Sequence, residues 1–158
     1  EINTGNYSEN MAYLISKFFI YVGKGNNYIF GQGPFNGEYN LEASATSNKY
    51  RYSRHLNALR ANEVLQRNGG SFKWINEAIK ATRKLKKEEN IKKIQIPILL
   101  FQSGKDTFVN DEGHNTFRKY AKNCKFVRFD NGKHELYFEN DDILEPYLKE
   151  IVKFYNEI

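Results

Sequence analysis

One feature constrains this chain more than any other, an apolar run near its centre. Ile94, Ile96, Pro97, Ile98, Leu99, Leu100 and Phe101 follow the charged stretch 86–93 and stop at the polar turn Gln102-Ser103-Gly104-Lys105-Asp106. A run without apolar–polar alternation marks a strand covered on both faces, as in a parallel sheet with helices over it. Residues 125–129 form a second such run, closed by Asp130-Asn131-Gly132. Residues 112–122 between the runs read as a helix. Ile143, Leu144, Tyr147, Leu148, Ile151, Val152 and Tyr155 recur at helical spacing and predict another. Strand, helix, strand, helix is an α/β pattern. Two strands cannot complete such a sheet, and the N-terminal half offers helices without a convincing strand, so further strands are expected from outside this chain.

In that N-terminal half, Met11, Leu14, Ile15, Phe18, Phe19 and Val22 repeat every three or four residues, with Ser8 as N-cap and Gly23 as terminator. Residues 23–48 hold five glycines, Pro34 and several Asn, and read as loop. A second helix is expected over 53–66, ahead of the stop Asn68-Gly69-Gly70. A third is expected over 72–87, with Trp74, Ile75, Ala78, Ile79, Thr82 and Leu85 on one side and cations on the other.

Composition narrows the function classes. With 158 residues, 40% of them hydrophobic, the chain can bury one core and is not disordered. No stretch approaches the roughly 18–20 apolar residues that span a bilayer. The single cysteine, Cys124, cannot form an intrachain disulfide or a zinc site, which fits a reducing compartment; a cytoplasmic protein, peripheral to a membrane at most, is expected. Glu1 is not followed by a leader pattern, as expected of a processed product or a piece of something longer. The net charge of +5 is uneven: residues 49–93 carry thirteen basic and four acidic side chains. That segment is either a solvated helix face or a surface for phosphate, in nucleic acid or in lipid headgroups.

Chemistry concentrates at the two strand ends, where open α/β sheets gather reactive groups. Asp106 follows the first strand and His134 the second. A carboxylate there can accept the Nδ1 proton of an imidazole, fix its tautomer and stabilise the imidazolium formed when Nε2 takes a proton from a nucleophile. His55 and His114 have no metal-ligand spacing to each other, to Cys124 or to His134, so no metal and no cofactor are expected.

Ile96-Pro97-Ile98-Leu99-Leu100-Phe101-Gln102-Ser103-Gly104-Lys105-Asp106-Thr107-Phe108-Val109 resembles the stretch that brings the acid residue in α/β-hydrolases of the lysophospholipase and monoacylglycerol lipase group. Asn131-Gly132-Lys133-His134-Glu135-Leu136, with Glu139 after it, resembles the same group's catalytic histidine loop. Gly31-Gln32-Gly33-Pro34-Phe35, Ala45-Thr46-Ser47 and Gly69-Gly70-Ser71-Phe72-Lys73-Trp74, ahead of Ala81-Thr82-Arg83-Lys84-Leu85, resemble the lid segment of bacterial lysophospholipases. The resemblance implies a partial α/β-hydrolase fold, with a helical lid over 1–93 followed by the last two parallel strands and helices of the sheet over 94–158. It also implies Asp106 as catalytic acid and His134 as catalytic base, acting on a lipid ester.

That family orders its triad serine, acid, histidine, with the serine in a Gly-x-Ser-x-Gly elbow. No such elbow occurs here, and neither Ser71 nor Ser103 has a strand-to-helix setting. The chain is therefore expected to be inert alone and to partner either the missing N-terminal half of the same enzyme or another copy of itself. The basic lid is then a candidate to face anionic headgroups. Two rival readings differ in class. One is a nucleic-acid-binding module over 49–93, where Tyr50, Tyr52, Phe72 and Trp74 lie among the cations. The other is a hydrolase-fold interaction protein without activity.

Overall fold

The two apolar runs pair with each other. In the computed structural model, which describes residues 1–157, β1 (Ile98–Ser103) and β2 (Cys124–Phe129) lie parallel, with Ile98 opposite Cys124 and Ser103 opposite Phe129. β1 begins later than the apolar run because Pro97 has no N–H for a ladder; Ile98 N makes the first bond, to Asn123 O at 2.8 Å. It also continues through Gln102 and Ser103, which the sequence reading assigned to the turn. Both are buried. The Gln102 amide donates toward Asp111 O and Asn115 Oδ1 and accepts from Arg128, so its polar groups are satisfied away from water.

Helices α1 (Glu9–Tyr21), α2 (Lys49–Ala61), α3 (Phe72–Leu85) and the single turn α4 (Glu88–Ile91) precede the sheet; α5 (Asp111–Tyr120) joins the strands and α6 (Asp141–Glu157) follows. Ser8 caps α1 by accepting from Met11 N at 3.3 Å, and Gly23 ends it with φ +78°. α2 starts before the expected residue 53 because Asn48 accepts from Arg51 N at 2.9 Å. It stops at Ala61 because Asn62 turns extended and caps a separate 3-10 turn, Glu63–Leu65. The charged stretch after α3 holds α4, which the sequence reading did not expect.

The N-terminal core lies between α1 and α3. Phe19 stacks on Phe72 with ring centroids 4.0 Å apart, Phe30 meets both rings edge-on, and Ile75 and Ile79 are buried beside them. The most buried residue of α1 is Ser16, in a 3.0 Å hydrogen bond with Asn76 Nδ2 of α3. Met11, Leu14 and Phe18 stay more than half exposed, so much of the α1 stripe faces outward. At the sheet, Phe101 meets Tyr147 of α6 at 4.6 Å on one face, while Ile98 and Leu100 border a cavity with His114 and Phe117 of α5 on the other. Ile98, Leu99, Leu100 and Phe101 are half-buried, short of the two-sided coverage their apolarity predicts. Among the described residues no helix is long and apolar enough to cross a membrane.

Residues at the start of the chain bind the loop after β1: Ile2 bridges Val109, Asn3 N donates to Phe108 O at 2.9 Å, and Asn110 N donates to Glu1 O at 2.7 Å. Many cations of 49–93 are engaged inside the molecule, in the pairs Arg51–Asp141, Lys80–Glu77, Arg83–Glu9, Lys86–Glu1 and Lys92–Glu88. Burial works to raise the Glu9 pKa, and Arg83 and Lys86 outweigh it, holding the carboxyl below its ordinary value.

His114 gives this fold a pH dependence. Its ring is half-buried, Nδ1 has no hydrogen-bond partner among the described residues, and burial lowers its pKa below the ordinary value of 6.5. As the pH falls the unfolded chain takes up this proton first. The stability tied to a neutral His114 is therefore complete above about pH 6.5 and is lost as the pH drops toward the lowered native value. Denaturant unfolding between about pH 8 and 5 should show that loss, and His114→Phe should remove part of the slope. Identical slopes in the two proteins would rule His114 out as its source.

Candidate active site

The parallel ladder continues past the strand ends and locks two turns side by side. Gly104 N donates to Phe129 O at 2.8 Å, and Lys105 N donates to Gly132 O at 2.9 Å. A Cβ on Gly104 would lie 2.5 Å from Asp130 O and 2.6 Å from Asp130 Cα, so only glycine permits this approach. At Gly132 a Cβ would collide with the Leu136 side chain. The two turns then deliver Asp106 and His134 to one point.

His134 Nδ1–H donates to Asp106 Oδ2 at 2.7 Å. The other oxygen, Asp106 Oδ1, accepts from Phe108 N at 2.8 Å and Val109 N at 3.0 Å. The carboxylate thus has three donors around it, and its side chain is only 5% exposed, against 41% for the imidazole. Because a carboxylate can only accept, Nδ1 carries the proton, which in the neutral ring leaves the lone pair on Nε2. The Phe108 ring lies 5.2 Å from the imidazole and borders it on one side. His55 instead packs against Phe138 at 5.8 Å, and His114 belongs to the cavity under β1. Among the described residues no group of three or more His, Cys, Asp or Glu side chains is arranged to hold a metal ion. Ser71 spends its hydroxyl capping Trp74 N at 3.1 Å, and Ser103 is buried at the end of β1.

The loop carrying His134 is anchored by residues whose part was not legible locally. Glu139 is fully buried, and its Oε1 accepts from Lys133 N and Ser47 N, both at 3.0 Å. Thr46 Oγ1 donates to Phe138 O at 2.7 Å, and Glu135 N donates to Ala45 O at 2.9 Å. Lys133 Nζ reaches the carbonyls of Leu41, Glu42 and Ser44. Arg51 donates to Glu139 O and pairs with Asp141 at 2.5 Å. Segment 41–48 and the histidine loop are therefore one hydrogen-bonded unit, although some ninety residues of chain separate them.

A parallel sheet with an acid–imidazole pair at its carboxyl edge places the chain in the α/β-hydrolase class. The chain belongs to the hydrolase family described as Serine aminopeptidase, S33, whose model matches residues 12–141. The "Probable lysophospholipase L2" of Haemophilus influenzae is 30% identical over 146 residues, covering 90% of this chain and 45% of that protein. Two solved structures share the fold at 15% identity. One is a soluble variant of the monoglyceride lipase of Saccharomyces cerevisiae in complex with a substrate analogue, with a TM-score of 0.63 over 94% of this chain and 48% of the other. The second is the Paleococcus ferrophilus monoacylglycerol lipase, with a TM-score of 0.67 over 98% of this chain and 54% of the other. The chain spans about half the length of the relatives it matches. The expected partial α/β-hydrolase fold is the one observed.

Removing the Glu139 carboxyl leaves the part-buried N–H groups of Ser47 and Lys133 without their acceptor. Glu139→Ala should cost about 2–4 kcal/mol of unfolding free energy, while Glu139→Gln, whose amide oxygen can still accept both bonds, should cost under half as much. Chemical denaturation of the three proteins measures this, and equal losses for the two variants would mean that acceptance by Oε1 is not what holds the loop.

Proposed function

We propose that this chain supplies the acid, the base and the lid of a serine hydrolase that cleaves the carboxylic ester of a lysophospholipid or a monoacylglycerol. Residues 1–93 act as the lid and 94–158 as the C-terminal part of the core. The nucleophilic serine, the oxyanion-hole donors and the remaining strands come from sequence outside these 158 residues. The 2.7 Å contact between His134 Nδ1 and Asp106 Oδ2 carries this reading, because it leaves Nε2 as the free basic nitrogen. The half-covered strand residues Ile98 to Phe101 support it as well, since further strands would complete their burial.

In this mechanism the serine hydroxyl attacks the ester carbonyl while Nε2 of His134 takes its proton. Asp106 holds the ring in the Nδ1–H tautomer and stabilises the imidazolium. His134 then returns the proton to the departing alcohol, and a water activated by the same nitrogen releases the fatty acid from the acyl-enzyme. The two N–H donors on Asp106 Oδ1 keep the carboxylate aimed throughout. The exposed apolar residues of the lid, among them Phe18 and Trp74, are suited to contact an acyl chain.

Steady-state kinetics on the full-length protein test this directly. His134→Ala should lower kcat for ester hydrolysis by about a thousandfold or more, and Asp106→Asn nearly as much. His55→Ala and His114→Ala should stay within a few-fold, roughly the level of changes remote from reacting atoms. The 158-residue chain alone should hydrolyse no ester. Similar losses at all three histidines, or turnover by the chain alone, would defeat the assignment.

A further inference from the structure

Two cavities flank the loop that carries Asp106. One, of about 410 Å³, is the more apolar, walled by Ile15, Ile29, Phe30, Phe72 and Ile75 with Asn3, Asn6 and Gln32 at its polar side, and reaches Thr107. The other, of about 1020 Å³, opens between the loops 26–36 and 66–71 and reaches Phe108, the ring beside His134. Its polar wall includes Gln32, Asn36, Gln66, Arg67 and Asn68. Among the described residues no acidic side chain lines it, and Arg67 is its one cation.

Arg67 differs from the other arginines of the chain. Arg51, Arg60, Arg83 and Arg128 hydrogen-bond to carboxylates or carbonyls, and Arg54 and Arg118 lie over aromatic rings. The Arg67 guanidinium makes no hydrogen bond, ion pair or ring contact among the described residues. Its backbone is nevertheless held: Arg67 N donates to Leu65 O at 2.8 Å, Asn68 Nδ2 donates to Gly33 O at 3.0 Å, and Gln32 accepts from Gly70 N. Gly69 sits at φ +70° so close to Gly33 O that a Cβ would lie 2.8 Å from it. A held backbone therefore places an exposed guanidinium, unengaged among the described residues, on the wall of a cavity that reaches Phe108 beside His134.

On the ester-hydrolase reading above, we propose that this cavity binds the phosphodiester headgroup of a lysophospholipid and that Arg67 selects it over the uncharged glycerol of a monoacylglycerol. A guanidinium and carboxamide N–H groups are donors matched to phosphate oxygens, and a cavity without carboxylates does not repel the anion. The more apolar cavity across the Asp106–Phe108 loop, with Ile15, Ile29, Phe72 and Ile75 in its wall, fits the other end of such an amphiphile, which sets the ester between the two, beside His134.

The test compares kcat/KM of the full-length protein for a lysophosphatidylcholine and a monoacylglycerol of the same acyl chain. Arg67→Gln should lower the ratio of the two by roughly tenfold or more, with Arg67→Lys between wild type and Arg67→Gln, because a charge-assisted contact to phosphate is lost. Glycerophosphocholine should inhibit the wild type competitively and Arg67→Gln much less. Neither ester being turned over by the wild type would overturn the hydrolase reading and this proposal with it. Turnover of both esters with a ratio unmoved by Arg67→Gln would overturn the headgroup proposal alone. Inhibition by inorganic phosphate as strong as that by glycerophosphocholine would also overturn it, reassigning the cavity to a free anion.

Discussion

Everything at the candidate site depends on the parallel ladder running one step beyond the strands. Had β1 and β2 ended their hydrogen bonding at Ser103 and Phe129, the turns after them would have been free to diverge. The bonds from Gly104 to Phe129 and from Lys105 to Gly132 prevent that, and they form only because residue 104 has no side chain to strike Asp130. The backbone thus brings the two turns together, and the bonds to Asp106 Oδ1 then orient the carboxylate for its 2.7 Å contact with His134. The sheet holds the carboxylate and the imidazole within hydrogen-bonding distance.

The second layer of order comes from polar groups inside the molecule. Glu139 gathers amides from two remote segments, and Lys133 gathers three carbonyls, so the histidine loop rests on segment 41–48. Buried polar groups that satisfy one another define geometry more sharply than apolar packing does, since each bond has a direction. Apolar packing here is incomplete by comparison. The α1 stripe and the face of β1 remain partly open, and in the aromatic cluster of Phe19, Phe30 and Phe72 only Phe72 is buried while Phe30 stays more than half exposed.

Charge follows the same division. The cations of 49–93 read in the sequence as a continuous basic segment, yet most of its arginines turn inward to carboxylates and carbonyls of distant elements. Among the described residues several lysines of the segment make no ion pair, and Arg67 is the arginine left without a partner, at a cavity whose polar wall is largely carboxamide. A net charge describes attraction at a distance, whereas recognition depends on which cations the fold leaves unengaged.

Periodicity and run length determined a good deal alone: the two strands, most of the helices around them, the α/β class, and the position of Asp106 and His134 after consecutive strands, where the fold brings them into contact. These are local signals, written in spacings of two to four residues. Element ends were less legible. Pro97 delayed β1, Asn48 and Asn62 moved α2, and Gln102 and Ser103 entered the sheet because partners distant in sequence satisfied them. The clamp of Glu139 on Ser47, the inward pairing of the basic segment and the isolation of Arg67 left no local trace at all. Each is a relation between segments tens of residues apart, which no neighbouring residue encodes and which exists only once the backbone has brought the partners within hydrogen-bonding distance.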